Sequence, residues 1–249
     1  MDSVRAEIFA QLQQDILQKE GFRSFANPLM NRVLGPLEKS FPSGTFPLGV
    51  VHEFHPVQER LESSRAATVG FISALAAPML TGGRVMWWIS TSRTIFPPAL
   101  MGFGVKPDQV VFVNIRKARD VLWATEEALK CSAITAVVAE VGRLDLTSSR
   151  RLQLSAEQSQ TTGFLIRSDL HPGITSSASR WRITSVSSDE MNGLPGVGHP
   201  QWRVELLRLR NGRPTSWLIR YRQGKFESIS GDQSRANGDF GLKESRKTG

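Results

Sequence analysis

The chain has 249 residues, of which 40% are hydrophobic and 22% charged, so it can bury a full hydrophobic core. One cysteine, Cys131, excludes an internal disulfide framework. The first residues, Met1–Glu7, lack the apolar run of a secretory signal, and we expect an intracellular, cytoplasmic protein. The longest uncharged run, residues 66–83, contains a proline and several polar residues, which favours a buried helix over a membrane span.

The net charge of +8 is unevenly distributed along the chain. Residues 1–140 carry 14 Lys and Arg against 13 Asp and Glu, whereas residues 141–249 carry 17 against 10. An excess of positive charge in the C-terminal part favours a polyanion or an acidic protein surface as partner. A basic surface that only keeps the protein in solution is equally compatible with these numbers.

The chain begins with an apolar pattern that precedes the main fold. Val4, Ile8, Leu12 and Ile16 recur every four residues and predict an amphipathic helix over residues 1–20. Such a leading helix either caps the core or docks on a neighbour. We divide the chain into an N-terminal helix and linker (1–43), a core (44–230) and a disordered polar tail (231–249).

From residue 48 onward, apolar runs alternate with helical patterns, which is typical of a mainly parallel α/β sheet. The predicted strands are 48–54, 84–90, 110–113, 134–140 and 163–167, and the helices between them are 64–80, 97–102, 118–130 and 147–161. Three later runs alternate with period two and predict an antiparallel extension of the sheet: 180–186, 202–206 and 216–222. We expect His52 to be a hydrogen-bonded core histidine and Cys131 to be a small buried residue.

The connection between the first predicted strand and helix, His55–Arg65, has the position of a phosphate-binding loop. Such a loop needs glycines for close backbone approach and a lysine for the phosphates. This connection contains neither, and it places Glu59 and Glu62 where a triphosphate would lie. No Cys/His spacing predicts a zinc site, and we expect no metal and no cofactor.

The order of these elements resembles the RecA core, and several stretches resemble the ImuA family more closely. ImuA proteins are the RecA-like members of a bacterial inducible mutagenesis cassette. The resemblance covers residues 44–228. The stretches that carry it are His52–Phe54, Ala66–Ile72, Ser149–Glu157, Gln201–Leu206 and Asn211–Pro214.

The resemblance implies a RecA-like fold and a non-catalytic accessory or scaffold role in SOS mutagenesis and translesion synthesis. The implied partners are an ImuB-type Y-family polymerase homologue, RecA and an error-prone C-family polymerase. The phosphate-loop lysine of RecA has no match, and its catalytic glutamate falls in Ser90–Thr94, which contains no acid. Glu140 matches the metal-associated acid, so Arg65 and Glu140 are weak candidates for cofactor binding; a structural role for Glu140 is the alternative.

The two DNA-binding loops of RecA match residues 142–149 and 168–179. Basic residues flank both and are candidate contacts to DNA or to a protein partner: Arg143, Arg150, Arg151, Arg167, Arg180 and Arg182. Two other functions stay open. One is a divergent ATPase in which Arg60 or Arg65 replaces the lysine, and the other is a relative of the SOS cell-division inhibitor.

Overall fold

The computed structural model describes residues 28–41, 44–169, 173–188 and 198–229. The predicted helix over residues 1–20 and the predicted tail lie outside the described residues. The described α-helices are α1 (Pro28–Leu34), α2 (Leu61–Ala76), α3 (Pro97–Met101), α4 (Ala118–Leu129) and α5 (Leu146–Ser159). Short 3-10 turns are Gly35–Ser40, Gln58–Arg60, Ala77–Leu80 and Pro107–Gln109. None of the described helices has the length and apolar character that crossing a membrane requires.

All described strands belong to one mixed sheet, with the order β3-β2-β4-β5-β1-β6-β7-β8-β9. The strands are β1 (Val51–Phe54), β2 (Met86–Ser90), β3 (Val110–Asn114), β4 (Ala136–Val141), β5 (Thr162–Arg167), β6 (Ser179–Val186), β7 (Gln201–Leu209), β8 (Thr215–Arg222) and β9 (Lys225–Ser228). The predicted α/β sheet is therefore confirmed.

Strand direction differs from the prediction in the C-terminal part. The run over 180–186 was expected to open an antiparallel extension, but β6 pairs in parallel with β1, with Glu53 opposite Arg180. Antiparallel pairing begins between β6 and β7 and continues through β9. The ninth strand, β9, was not predicted, because its four residues are too few to display a period.

Helices cover both faces of the parallel strands, so two hydrophobic cores form. One core lies between the sheet and α1, α2 and α3, and it contains Trp88, Phe71 and Trp181. The other lies between the sheet and α4 and α5, and it contains Leu129 and Leu152. Strands covered on both faces are apolar throughout, which is the pattern that predicted them.

Two predictions about individual segments need correction. Residues in the expected linker form α1 and the turn after it, and Met30, Leu34 and Leu37 are fully buried in the first core. Cys131 was expected to be buried, but it is exposed, because α4 ends at Leu129 and the chain turns at the protein surface before β4.

Candidate functional site

The connection from β1 to α2 uses its backbone donors within the protein. The amide N–H of His55 donates to the carbonyl of Trp181 at 2.9 Å, and that of Val57 donates to Oγ of Ser64 at 2.9 Å. The amide of Arg60 donates to the carbonyl of Val57 at 3.2 Å. A phosphate cradle needs such donors to point at the ligand, so these three groups are not available for that purpose.

Ser64 holds this connection against the sheet. Its hydroxyl accepts from the Val57 amide and donates to the carbonyl of Ile183 in β6 at 2.6 Å. Its own carbonyl accepts from the hydroxyl of Thr68 at 2.7 Å. Ser64 and Thr68 are both fully buried. The start of α2 is therefore tied to β6 by a buried hydroxyl group.

Arg65 and Glu140, the two weak candidates for cofactor binding, contact each other. Arg65 Nη2 lies 2.5 Å from Glu140 Oε2, and the side chain of Glu140 is 11% exposed. Ser92 Oγ donates to the same carboxylate oxygen at 3.4 Å. This pair links α2 to the carboxyl end of β4 and to the segment that follows β2. The arrangement fits the structural role that was the alternative for Glu140.

A cavity of about 670 Å³ lies beside this ion pair, between the N-terminal half of α2 and the segment containing α3. Its lining is mainly apolar and includes Leu61, Val69, Ile95, Phe96, Phe103 and Ile166. Arg65, Glu62 and Glu140 are its charged lining residues. Phe96 is 68% exposed at this cavity. The cavity, called the α2–α3 pocket below, suits an apolar group far better than a triphosphate.

A second polar cluster lies on the opposite face of the sheet, at the carboxyl ends of β1 and β5. Its centre is Glu53, which is fully buried in β1. Glu53 Oε2 lies 3.1 Å from His55 Nε2, 3.4 Å from Arg167 Nη1 and 3.4 Å from Arg180 Nη2. We call Glu53, His55, Arg167 and Arg180 the Glu53 cluster. It compensates the buried carboxylate with charge and hydrogen bonds, as burial of an ionised group requires.

The Glu53 cluster changes the acidity of its central carboxyl group. Burial alone would raise the pKa of Glu53, but hydrogen bonds from His55 and Thr175 and the charges of Arg167 and Arg180 outweigh this and lower it to about 2. The carboxylate therefore remains ionised far below neutral pH. A permanently ionised, enclosed carboxylate is a structural counter-ion and a poor general acid or base.

Arg167 connects the two loops that match the RecA DNA-binding loops. Its Nε donates to the carbonyl of Gly142 at 3.1 Å, and its Nη2 lies 2.7 Å from Asp169 Oδ2. Its side chain is buried, since the residue is only 1% exposed. The contact to DNA or a partner that the sequence suggested for Arg167 has no exposed guanidinium to support it. Its position instead makes it the residue that holds the loops together.

The other predicted arginines are more accessible and lie around the same loops. Arg143 and Arg150 are exposed, in the β4–α5 loop and the first turns of α5. Arg151 is exposed but pairs with Glu126 of α4 at 2.6 Å. Arg180 belongs to the Glu53 cluster, and Arg182 pairs with Glu205 of β7 at 3.8 Å. The structure thus brings Arg167 and Arg180 together and distributes the remaining four over the surface nearby.

The prediction that His52 is a hydrogen-bonded core histidine is confirmed. Its Nδ1 lies 2.6 Å from Ser179 Oγ, and its Nε2 lies 2.9 Å from the carbonyl of Pro47. Burial lowers the pKa of His52 to about 4, although the hydrogen bond to Pro47 opposes this shift. Among the described residues, no group of three or more His, Cys, Asp or Glu side chains is placed to hold a metal ion.

The Glu53 cluster was not predicted from the sequence, although one signal was present. Glu53 is the single acid in the apolar run over 49–54, and an acid in a buried strand requires a cationic partner. The identity of that partner could not be read, because Arg167 and Arg180 are more than 100 residues away. The α2–α3 pocket had no local signal, since it forms between segments that are separate in sequence.

Helices on both faces of a sheet with this strand order, together with antiparallel closing strands, define a RecA-like α/β protein. No protein-family model matches the chain. The chain is 34% identical over 195 residues to Protein ImuA of Caulobacter vibrioides strain NA1000 / CB15N, which covers 74% of this chain and 79% of that relative. The same values hold for Protein ImuA of strain ATCC 19089 / CIP 103742 / CB 15 of that species. The chain therefore belongs to the ImuA family.

Proposed function

We propose that this protein is a non-catalytic RecA-like scaffold of SOS mutagenesis and translesion DNA synthesis that acts in the cytoplasm. Its partners in this proposal are an ImuB-type Y-family polymerase homologue, RecA and an error-prone C-family polymerase. Membership of the ImuA family supports the assignment to this system.

The state of the β1–α2 connection carries the proposal of a non-catalytic role. The amides of His55, Val57 and Arg60 all donate to acceptors within the protein. Arg65, one of the two residues that could replace the phosphate-loop lysine in a divergent ATPase, is paired with Glu140. Binding a triphosphate there would require breaking these interactions and placing phosphate charge beside two glutamates, both of which cost free energy.

The experiment on this point is a titration of the purified full-length protein with ATP and Mg²⁺, with phosphate release measured in parallel. We expect no saturable binding up to about 1 mM and no turnover above that of the Arg65→Ala variant. Saturable binding at micromolar ATP, with turnover that Arg60→Ala or Arg65→Ala abolishes, would establish the divergent ATPase instead.

The partner assignment is tested by pull-down with the full-length protein. We expect retention of an ImuB-type polymerase homologue and of RecA, and no retention of the division GTPase that a cell-division inhibitor would bind. Retention of the division GTPase without the polymerase homologue would reverse the assignment. This experiment does not depend on the outcome of the nucleotide titration.

Direct contact with DNA is proposed for the exposed arginines around the two loops. Arg143 and Arg150 lie on the surface beside the loops that Arg167 joins. Replacing both with alanine should weaken binding of single-stranded DNA at every sequence and reduce the salt dependence, by about one unit of slope for each lost phosphate contact. Arg84 provides the control, because it is exposed just before β2, at the amino-terminal end of the parallel strands, whereas the first loop follows the carboxyl end of β4. Equal losses for Arg84→Ala and the double variant would contradict a localised interface.

A further inference from the structure

We propose that residues 1–20 dock on the α2–α3 pocket of the same molecule through the stripe formed by Val4, Ile8, Leu12 and Ile16. The stripe and the lining of the pocket are both apolar. An amphipathic segment needs an apolar surface to bury one face, and the pocket offers a concave apolar lining of matching character. The inference stands independently of the proposed scaffold function, because it concerns contacts within one chain.

The pocket exposes large apolar side chains that an apolar segment could bury. Its volume is about 670 Å³ and its lining is predominantly apolar. Phe96 is 68% exposed and Leu61 is 37% exposed, and both line it. A concave, mainly apolar lining with exposed large side chains can accept an apolar side-chain stripe from another segment.

The dimensions of the two surfaces agree. A helix spanning Val4 to Ile16 is about 18 Å long at 1.5 Å per residue. The part of α2 that lines the pocket runs from Leu61 to Gly70, about 14 Å on the same scale. The apolar stripe would therefore cover the pocket along α2 from end to end.

α1 lies close enough to the pocket for the segment that precedes it to reach the lining. α1 begins at Pro28 and packs against α2 and against the turn Ala77–Leu80, which follows the C-terminal end of α2. All of α2 is about 24 Å long. Residues 21–27 span at most about 25 Å when fully extended. The segment before α1 can thus reach the N-terminal half of α2 without leaving its own molecule.

The polar groups of the pocket favour an apolar segment over a small charged ligand. Arg65 and Glu140 compensate each other at 2.5 Å, and Ser92 donates to the same carboxylate. An apolar helix face leaves this pair intact. A charged ligand would have to separate it and would leave one buried partner uncompensated.

Cysteine cross-linking in the full-length protein tests the docking. In a Cys131→Ser background, Leu12→Cys is combined with Ala99→Cys, an exposed position that lines the pocket. The matched control combines Ala99→Cys with Gln14→Cys, which lies on the opposite side of the predicted helix. We expect an intramolecular disulfide that forms at least about tenfold faster in the Leu12 pair, because docking raises the effective concentration beyond that of the tether alone.

Equal rates of disulfide formation for the two pairs would overturn the docking. Disulfide-linked dimers would show that the stripe binds a second copy of the chain, which would overturn docking within one molecule. Hydrogen exchange provides a second measurement that does not require new cysteines. Amides over residues 4–16 should exchange at least about tenfold more slowly in Gln14→Asp than in Leu12→Asp. Equal exchange in these two variants would contradict the proposal.

Discussion

Replacing Glu53 with glutamine tests whether the Glu53 cluster stabilises the protein through charge. The substitution keeps the size of the side chain and removes its charge, so Arg180 loses its carboxylate partner and Arg167 keeps only its pair with Asp169. Removing one partner of a buried ion pair costs about 3–5 kcal/mol, because the remaining charge stays buried. We expect the free energy of unfolding at pH 7 to fall by about 3 kcal/mol.

The acidity of Glu53 gives a second route to the same magnitude. Its pKa falls from 4.5 to about 2, and at 1.36 kcal/mol per unit this corresponds to about 3 kcal/mol. The folded protein binds this proton more weakly than the unfolded chain does. The stabilisation is therefore present above pH 4.5 and is lost as the pH falls from 4.5 toward 2.

The measurement is urea unfolding of wild type and Glu53→Gln at a series of pH values from 7 downward. The difference between the two proteins should be about 3 kcal/mol at pH 7 and should narrow below pH 4.5. Glu205→Gln is the matched control, since Glu205 pairs with Arg182 at the surface at 3.8 Å and should cost less than about 1 kcal/mol. A Glu53→Gln difference equal to that of the control at pH 7, or one independent of pH, would show that the charge of Glu53 does not stabilise the folded protein.

Three further predictions concern stability. Trp181→Ala should lower the free energy of unfolding by about 3–5 kcal/mol in denaturant titrations, because Trp181 is fully buried; Trp123→Ala, at a 66% exposed position, should change it by less than about 0.5 kcal/mol. Ser64→Ala should cost about 1–3 kcal/mol by the same method, because it leaves the Val57 amide and the Ile183 carbonyl without this partner; a neutral effect would contradict the role of Ser64. Thermal unfolding should show stability falling as pH drops from 6.5 to 4, since burial holds His52 neutral in the folded state; a flat profile would contradict this.

Local patterns identified most of the secondary structure. The apolar runs and the period-two alternation depend on side chains that are neighbours in sequence, so they predicted strands whose bounds differ from the observed ones by a few residues. In β8 the alternation is visible in Trp217, Ile219 and Tyr221, which all pack on the first core. The observed start of α2 differs from the predicted one. The helix begins at Leu61, three residues before the predicted start, and no side-chain cap marks this end.

Local sequence patterns do not predict features that depend on contacts between residues far apart in the chain. Alternation does not reveal which strand lies alongside another, so the parallel pairing of β6 with β1 was missed. That pairing places Arg180 next to Glu53, and the pairing of β1 with β5 brings Arg167 to the same carboxylate. From sequence alone, Arg167 is therefore a candidate contact to DNA or a partner, like the other arginines beside the two loops.

The class of fold, the family resemblance and the lack of a glycine-rich phosphate loop follow from the chain alone, because each is carried by residues close together in it. Three features appear only in the folded protein: the amides of His55, Val57 and Arg60 donate within the protein, Arg65 pairs with Glu140, and an apolar pocket opens beside this pair. These features require segments far apart in sequence to meet, and the packing of the sheet and its helices determines which of them do.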